Sequence, residues 1–178
     1  MNDGLICISV CASTAVDLLA NIRRAELQAD LIEVRFDCLA KHEITSVLRS
    51  IRDAEISTPL IATYRASQQG GNNADLTRQQ RLEFWRSLGD GFSYVDLEET
   101  IIGDVSVNSQ IIASHHDFAM VPSDTNTIYD RLAIHEPSVI KIAAAANDIC
   151  DAIPIWKLLE RSRTENRNVI PLAMGEPG

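Results

Sequence analysis

Two side chains in this sequence have the type and setting for covalent chemistry. Lys141 lies inside the apolar run Val139, Ile140, Lys141, Ile142, Ala143, where an ammonium loses its hydration unless its pKa falls or it becomes an imine. A lysine in that setting can attack a carbonyl. Imine chemistry also needs a proton shuttle, and histidine is the side chain whose ordinary pKa suits that task near neutrality. His115 and His116 offer one, where the apolar run Ile111, Ile112, Ala113 turns polar at Ser114. The plainer readings are an edge-strand lysine with its head in water and a surface histidine pair. The occurrence of both features one element apart favours the chemical reading.

Strands must carry both residues. Residues 110–118 and 138–143 read as short buried strands joined by a helical segment, and this β-then-α unit recurs along the chain. Further strands are predicted over 5–10, 30–37, 59–65, 92–98 and 168–174. Helices are predicted over about 14–26, with Val16, Leu19, Ile22 and Arg23 on one face, over 43–54 and 75–88, after a cap at 122–124, and over about 147–161. The last has Trp156, Leu158 and Leu159 among its apolar positions and Pro154 near its start. Residues 102–109 carry no clear pattern, and the small and polar residues of 67–74 read as a loop at a functional end.

Strands and helices alternating about every 25 residues, with polar words at the strands' carboxyl ends, describe an α/β chain of TIM-type (β/α)8 architecture. Its site belongs at that end. Seven strands and six helix slots fall short of eight of each, and 178 residues fall short of the roughly 200 to 250 such barrels use. Residues 1–178 are therefore expected to form a single barrel domain that is incomplete at its C-terminal side. An open edge and low stability should follow.

Charge is concentrated at strand ends. Alternation places Glu33, Arg35 and Asp37 on one side of the second strand, either as a salt-bridged cluster filling the interior or as the wall of a pocket. Arg65 stands at the exit of the third strand, just before Gly70-Gly71, which marks a turn. Asp96 and Glu98 share one face of the fourth, where an ion pair competes with a role in positioning a catalytic histidine.

The chain has 25 acidic and 16 basic side chains, a net charge of -9 and no Lys/Arg cluster, which argues against nucleic acid or an anionic membrane as partner. An anionic small molecule would be met by local arginines. No run approaches the ~18 to 20 apolar residues of a membrane span, and Met1, Asn2, Asp3 and Gly4 lack the basic start of a signal peptide; a cytoplasmic location is expected. Cys7, Cys11, Cys38 and Cys150 lack zinc-site spacing and are expected to be reduced and mostly buried. His42 and His135 are expected to be solvated.

The words Glu33-Val34-Arg35-Phe36-Asp37, Thr63-Tyr64-Arg65 with Gly70-Gly71 close behind, Asp96-Leu97-Glu98, Ser114-His115-His116-Asp117-Phe118, Lys141-Ile142-Ala143 and Met174-Gly175 occur in this order. The series resembles type I 3-dehydroquinate dehydratase, the Schiff-base enzyme of the shikimate pathway. The resemblance implies a homodimeric lyase without metal or organic cofactor, converting the small molecule 3-dehydroquinate to 3-dehydroshikimate. It implies Lys141 as the imine-forming amine and His116, directly before Asp117, as acid and base. Glu33, Arg35 and Arg65 would contact substrate, with Asp96, Glu98 and Gln69 in support. Asp37 and Asp117 would hold local structure, and Phe118 would pack. Many members carry Glu where this chain has Gln69, whose neutral amide cannot serve as a base. The resemblance further implies an arginine, a serine and a glutamine after the Met-Gly word, which these residues do not include. A class I aldolase sharing Lys141, or an inactive truncated chain, are the alternatives.

Overall fold

A computed structural model describes residues 4–73, 76–176 and 178. The helix start drawn at Asp75, the loop end at Ala74, Met1, Asn2 and Asp3 of the N-terminus, and Pro177 lie outside the described residues. Seven strands are present: β1 (Cys7–Val10), β2 (Leu31–Arg35), β3 (Leu60–Thr63), β4 (Tyr94–Glu98), β5 (Gln110–Asp117), β6 (Val139–Ala145) and β7 (Val169–Met174). Among the described residues five α-helices accompany them: α1 (Ala15–Ala25), α2 (Ile44–Asp53), α3 (Arg78–Ser87), α4 (Thr125–Ala133) and α5 (Ala152–Glu165). Within β1 to β4 and within β5 to β7 the strand order follows the chain, the signature of successive βα units. Between β4 and β5 the described residues hold only a 3-10 turn, Ile102–Asp104, in place of a sixth helix.

The chain divides into two compact units, Met1–Asp96 with Val105–Ser109, and Leu97–Asp104 with Gln110–Gly178. In the first unit, β1, β2 and β3 pair in parallel, and β3 pairs with the start of β4. Ile32 and Val34 are fully buried on one face of β2, while Glu33 and Arg35 point the other way. Phe36 does not continue the strand. Its buried ring packs on Phe84 at 4.9 Å and Phe92 at 5.8 Å, and residues Phe36–Cys38 form a 3-10 turn. Aromatic burial thus ends β2 two residues before the predicted boundary.

The buried stripe of α1 is Ala15, Leu18, Ile22 and Ala25, spaced i, i+3, i+7 and i+10. The predicted face was rotated from this one: Val16 is 77% exposed. Thr14 caps the helix by accepting from the Asp17 amide, satisfying one of its first-turn donors. Thr77 and Gln80 form a reciprocal capping box on α3, which fixes that helix start at Arg78.

In the second unit β5, β6 and β7 are parallel. Ile140 and Ile142 are buried on one face of β6, and α5 buries Ala152, Ile155, Leu158 and Ser162. Trp156 and Leu159, counted as apolar positions of that helix, are exposed. Pro154 sits in its first turn, where a missing amide breaks no helical bond.

The cysteines differ from expectation. Cys11 and Cys38 are joined in a disulfide, and Cys7 and Cys150 are exposed. Parallel pairing of Val10 with Val34 brings the carboxyl ends of β1 and β2 side by side, so Cys11 and Cys38 meet with Cα atoms 5.5 Å apart. Residues 27 apart in sequence give no local sign of this. His42 and His135 are exposed.

Candidate active site

The predicted site residues fall into two groups. In the first unit, Glu33 pairs in register with Ser9 and Ile61, Arg35 with Thr63, and Thr63 with Asp96. Residues in lateral register project to the same face, so polar side chains from four strands collect there. The Thr63 hydroxyl donates to Glu33 at 2.8 Å. Arg65, 3% exposed, grips Asp96 with two hydrogen bonds of 2.8 and 2.6 Å and lies 3.8 Å from Glu33. A buried guanidinium requires such a forked partner.

Arg35 makes a second forked pair, donating to Asp37 at 2.8 and 2.7 Å. Burial is the largest influence on the Asp37 carboxyl and raises its pKa, but the Arg35 guanidinium and the amides of Asn72 and Arg65 outweigh it and hold the group below its ordinary value. The Arg35 pKa is raised, first by its hydrogen bond to Asp37. Asp37 also organises the loop after β3: the Asn72 amide donates to it at 2.9 Å, and Arg35 donates to the Gly70 carbonyl at 3.3 Å. Gly70 has φ 80°. A Cβ on Gly71 would stand 2.1 Å from the Arg65 carbonyl oxygen, so the loop can lie on the β3 exit only with glycine there. Gln69 belongs to the 3-10 turn Ser67–Gln69 that begins this loop.

In the second unit, Ser114 is opposite Lys141 and His116 is opposite Ala143. Lys141 and His116 therefore project from the same face of adjacent strands, one diagonal step apart, with Cα atoms about 8 Å from each other by strand geometry. His116 is buried and Lys141 half-buried. The ring of Phe118 lies nearly parallel to His116, centroids 6.3 Å apart; Phe118 is 57% exposed rather than packed in the core. Asp117 accepts from the amides of Ala119 and Met120 at 2.8 and 3.1 Å, fixing the turn after β5. Glu98 is buried at the end of β4.

His115 projects from the other face of β5. Its Nδ1 lies 3.9 Å from Glu99, which binds Arg131 at 2.5 Å. Burial pushes its pKa below the ordinary value. Sequence reasoning did not single out Thr63, Asn72 or Ser114. The strand period could have found Thr63 and Ser114, which sit two residues from Arg65 and His116, but Asn72 depends on loop closure. Among the described residues no group of three or more His, Cys, Asp or Glu could hold a metal ion.

A 3-dehydroquinate dehydratase of Coxiella burnetii (strain CbuK_Q154) is 28% identical over 185 residues, covering 100% of this chain and 77% of the relative. One from Methanothrix thermoacetophila is 30% identical over 156 residues, covering 85% and 67%. Among solved structures, the type I 3-dehydroquinate dehydratase of Clostridium difficile matches with TM-score 0.86 at 20% identity, over 100% of this chain and 79% of that one. The 3-dehydroquinate dehydratase of Geobacillus kaustophilus HTA426 matches at 0.85 and 22%, over 99% and 76%. These likenesses show a TIM-barrel-like α/β fold. The model of the family described as Type I 3-dehydroquinase matches residues 6–178, and the chain belongs to that family.

Proposed function

We propose that this chain dehydrates 3-dehydroquinate to 3-dehydroshikimate, a step of aromatic amino acid biosynthesis, through an imine on Lys141. The observation that carries the reading is the placement of Lys141 and His116 on one face of adjacent strands in a member of this family. The Lys141 amine adds to the C3 ketone, and loss of water leaves a protonated imine. That cation acidifies C2 by drawing carbanion charge onto nitrogen. His116 takes the C2 proton and returns a proton to the C1 hydroxyl, which leaves as water. Hydrolysis of the imine then frees the product and Lys141.

Glu33, Arg35 and Arg65 are the substrate-contacting group in this reading. The Arg35 side chain is 20% exposed and supplies positive charge to an anionic substrate, while Arg65 and Thr63 orient Glu33 toward substrate hydroxyls. Asp96 and Glu98 support the site. The Clostridium difficile structure carries covalently modified comenic acid, in keeping with a reactive group in a family site. The enzyme would be cytoplasmic and homodimeric, the latter to be read by light scattering; no helix of the described residues is long and apolar enough to cross a membrane.

The direct test is borohydride reduction in the presence of dehydroquinate followed by peptide mass mapping. An adduct on Lys141, absent in Lys141→Ala, is expected. An unmodified Lys141 in a folded chain would sink the proposal and leave an inactive family member.

A further inference from the structure

The disulfide belongs to neither the proposed chemistry nor the core, yet it sits against the residues that order Arg35. Cys38 follows Asp37 directly in the turn that ends β2. The Asn72 side-chain amide donates to the Cys38 sulfur at 3.2 Å, while the Asn72 backbone amide donates to Asp37 at 2.9 Å. Cys11 lies just past β1 and is exposed, its carbonyl accepting from Asn21 of α1. Beside the covalent link, one backbone hydrogen bond, from Ala40 to the Ser13 carbonyl, joins the loops after β1 and β2. Opening the disulfide would thus loosen the turn without detaching it.

We infer that the Cys11–Cys38 disulfide is a thiol-responsive modification site that sets the order of the Arg35–Asp37–Asn72 cluster. Its effect on substrate affinity rests on the function proposed above; its effect on the cluster does not. A small-molecule thiolate attacks the sulfur of Cys11, an exposed residue, and Cys38 leaves as a thiolate that takes a proton. A second thiol attacks the mixed disulfide, releasing Cys11 as a thiol and the small molecule as its own disulfide. Two thiols are oxidised as one cystine is reduced, and the reverse reaction uses the small-molecule disulfide as oxidant. With the tether open, the turn holding Asp37 samples more conformations, and the carboxylate that fixes both Arg35 and the Asn72 amide is less well placed.

The test equilibrates the whole chain in reduced and oxidised glutathione, counts thiols by alkylation and mass spectrometry, and follows Asn72 amide exchange by NMR. In the oxidised state only Cys7 and Cys150 should alkylate. In the reduced state all four cysteines should, with Asn72 exchange at least tenfold faster and KM for dehydroquinate raised several-fold at nearly constant kcat. The double variant Cys11→Ser, Cys38→Ser should match the reduced protein in both buffers. Four reactive thiols under oxidising conditions, or Asn72 exchange indifferent to redox state, would overturn the inference. An active enzyme with equal KM in both states would remove the link to substrate. Redox-sensitive Asn72 exchange in a chain that forms no Lys141 adduct would leave the disulfide inference standing and defeat the dehydratase reading.

Discussion

The two units hold their candidate site residues by different means. In the first, Glu33, Arg35, Arg65 and Asp96 are fixed by side-chain bonds: two forked arginine–carboxylate pairs and the Thr63 hydroxyl on Glu33. In the second, the register that sets Ser114 beside Lys141 and Ala143 beside His116 brings a half-buried amine and a buried imidazole onto one face. Charges held by one another make function and stability hard to separate, because removing one leaves a buried partner exposed to the full desolvation penalty. Lys141 is only half-buried, so replacing it leaves less buried charge uncompensated than replacing a member of the Arg65–Asp96 pair. This difference predicts that substitutions in the two units will move different measurements.

His116→Ala should give the largest effect. Losing the proposed proton shuttle should lower kcat by a factor of about 10² to 10⁴ in a chain that still unfolds cooperatively in urea; unchanged turnover would assign the shuttle elsewhere. Asp96→Asn should show the opposite balance. It removes the charge of the forked partner of an arginine that is only 3% exposed, so unfolding free energy should fall by about 3 kcal/mol. Equilibrium urea unfolding reads it directly. A loss confined to kcat with full stability would mean that Arg65 is held by other groups, and the contrast between the units would fail.

Gly71→Ala is expected to act between these extremes. Its Cβ would meet the Arg65 carbonyl oxygen at 2.1 Å, forcing the loop off the β3 exit and withdrawing Asn72 from Asp37. A loss of about 2 kcal/mol together with a raised KM is expected, whereas an unaffected KM would detach this loop from substrate binding.

The sequence showed the second unit's arrangement more clearly than the first's, for a physical reason. Strand periodicity decides which face a residue occupies, so period-two reasoning separates His115 from His116 and aligns Glu33 with Arg35. It does not say which carboxylate an arginine chooses. Asp37 was drawn as part of β2, but the burial of Phe36 turned the chain and brought its carboxylate back onto Arg35. The Cys11–Cys38 bond and the Asn72 contacts depend on loops meeting across long separations, for which composition carries no signal. The predicted face of α1 shares Ile22 with the buried stripe but takes Val16 and Leu19 where the fold buries Ala15 and Leu18; both sets satisfy a helical spacing, and only packing chooses between them.

The smallest predicted effect concerns His115, which turns away from the Lys141 face. Burial lowers its pKa from 6.5, with Glu99 opposing and Arg131 reinforcing the shift, and Asp117 and Asp124 also facing it. The unfolded chain therefore takes up a proton at a higher pH than the folded one. Stability should be fully present above the unfolded pKa and decline as pH falls through the folded pKa. In His115→Gln this contribution disappears, so the loss of unfolding free energy between pH 7.5 and 5.5 should be smaller than in the parent chain, whatever the absolute stability of the variant. Parallel urea titrations at the two pH values measure it, and identical slopes would show that His115 is as well solvated in the folded chain as in the unfolded one.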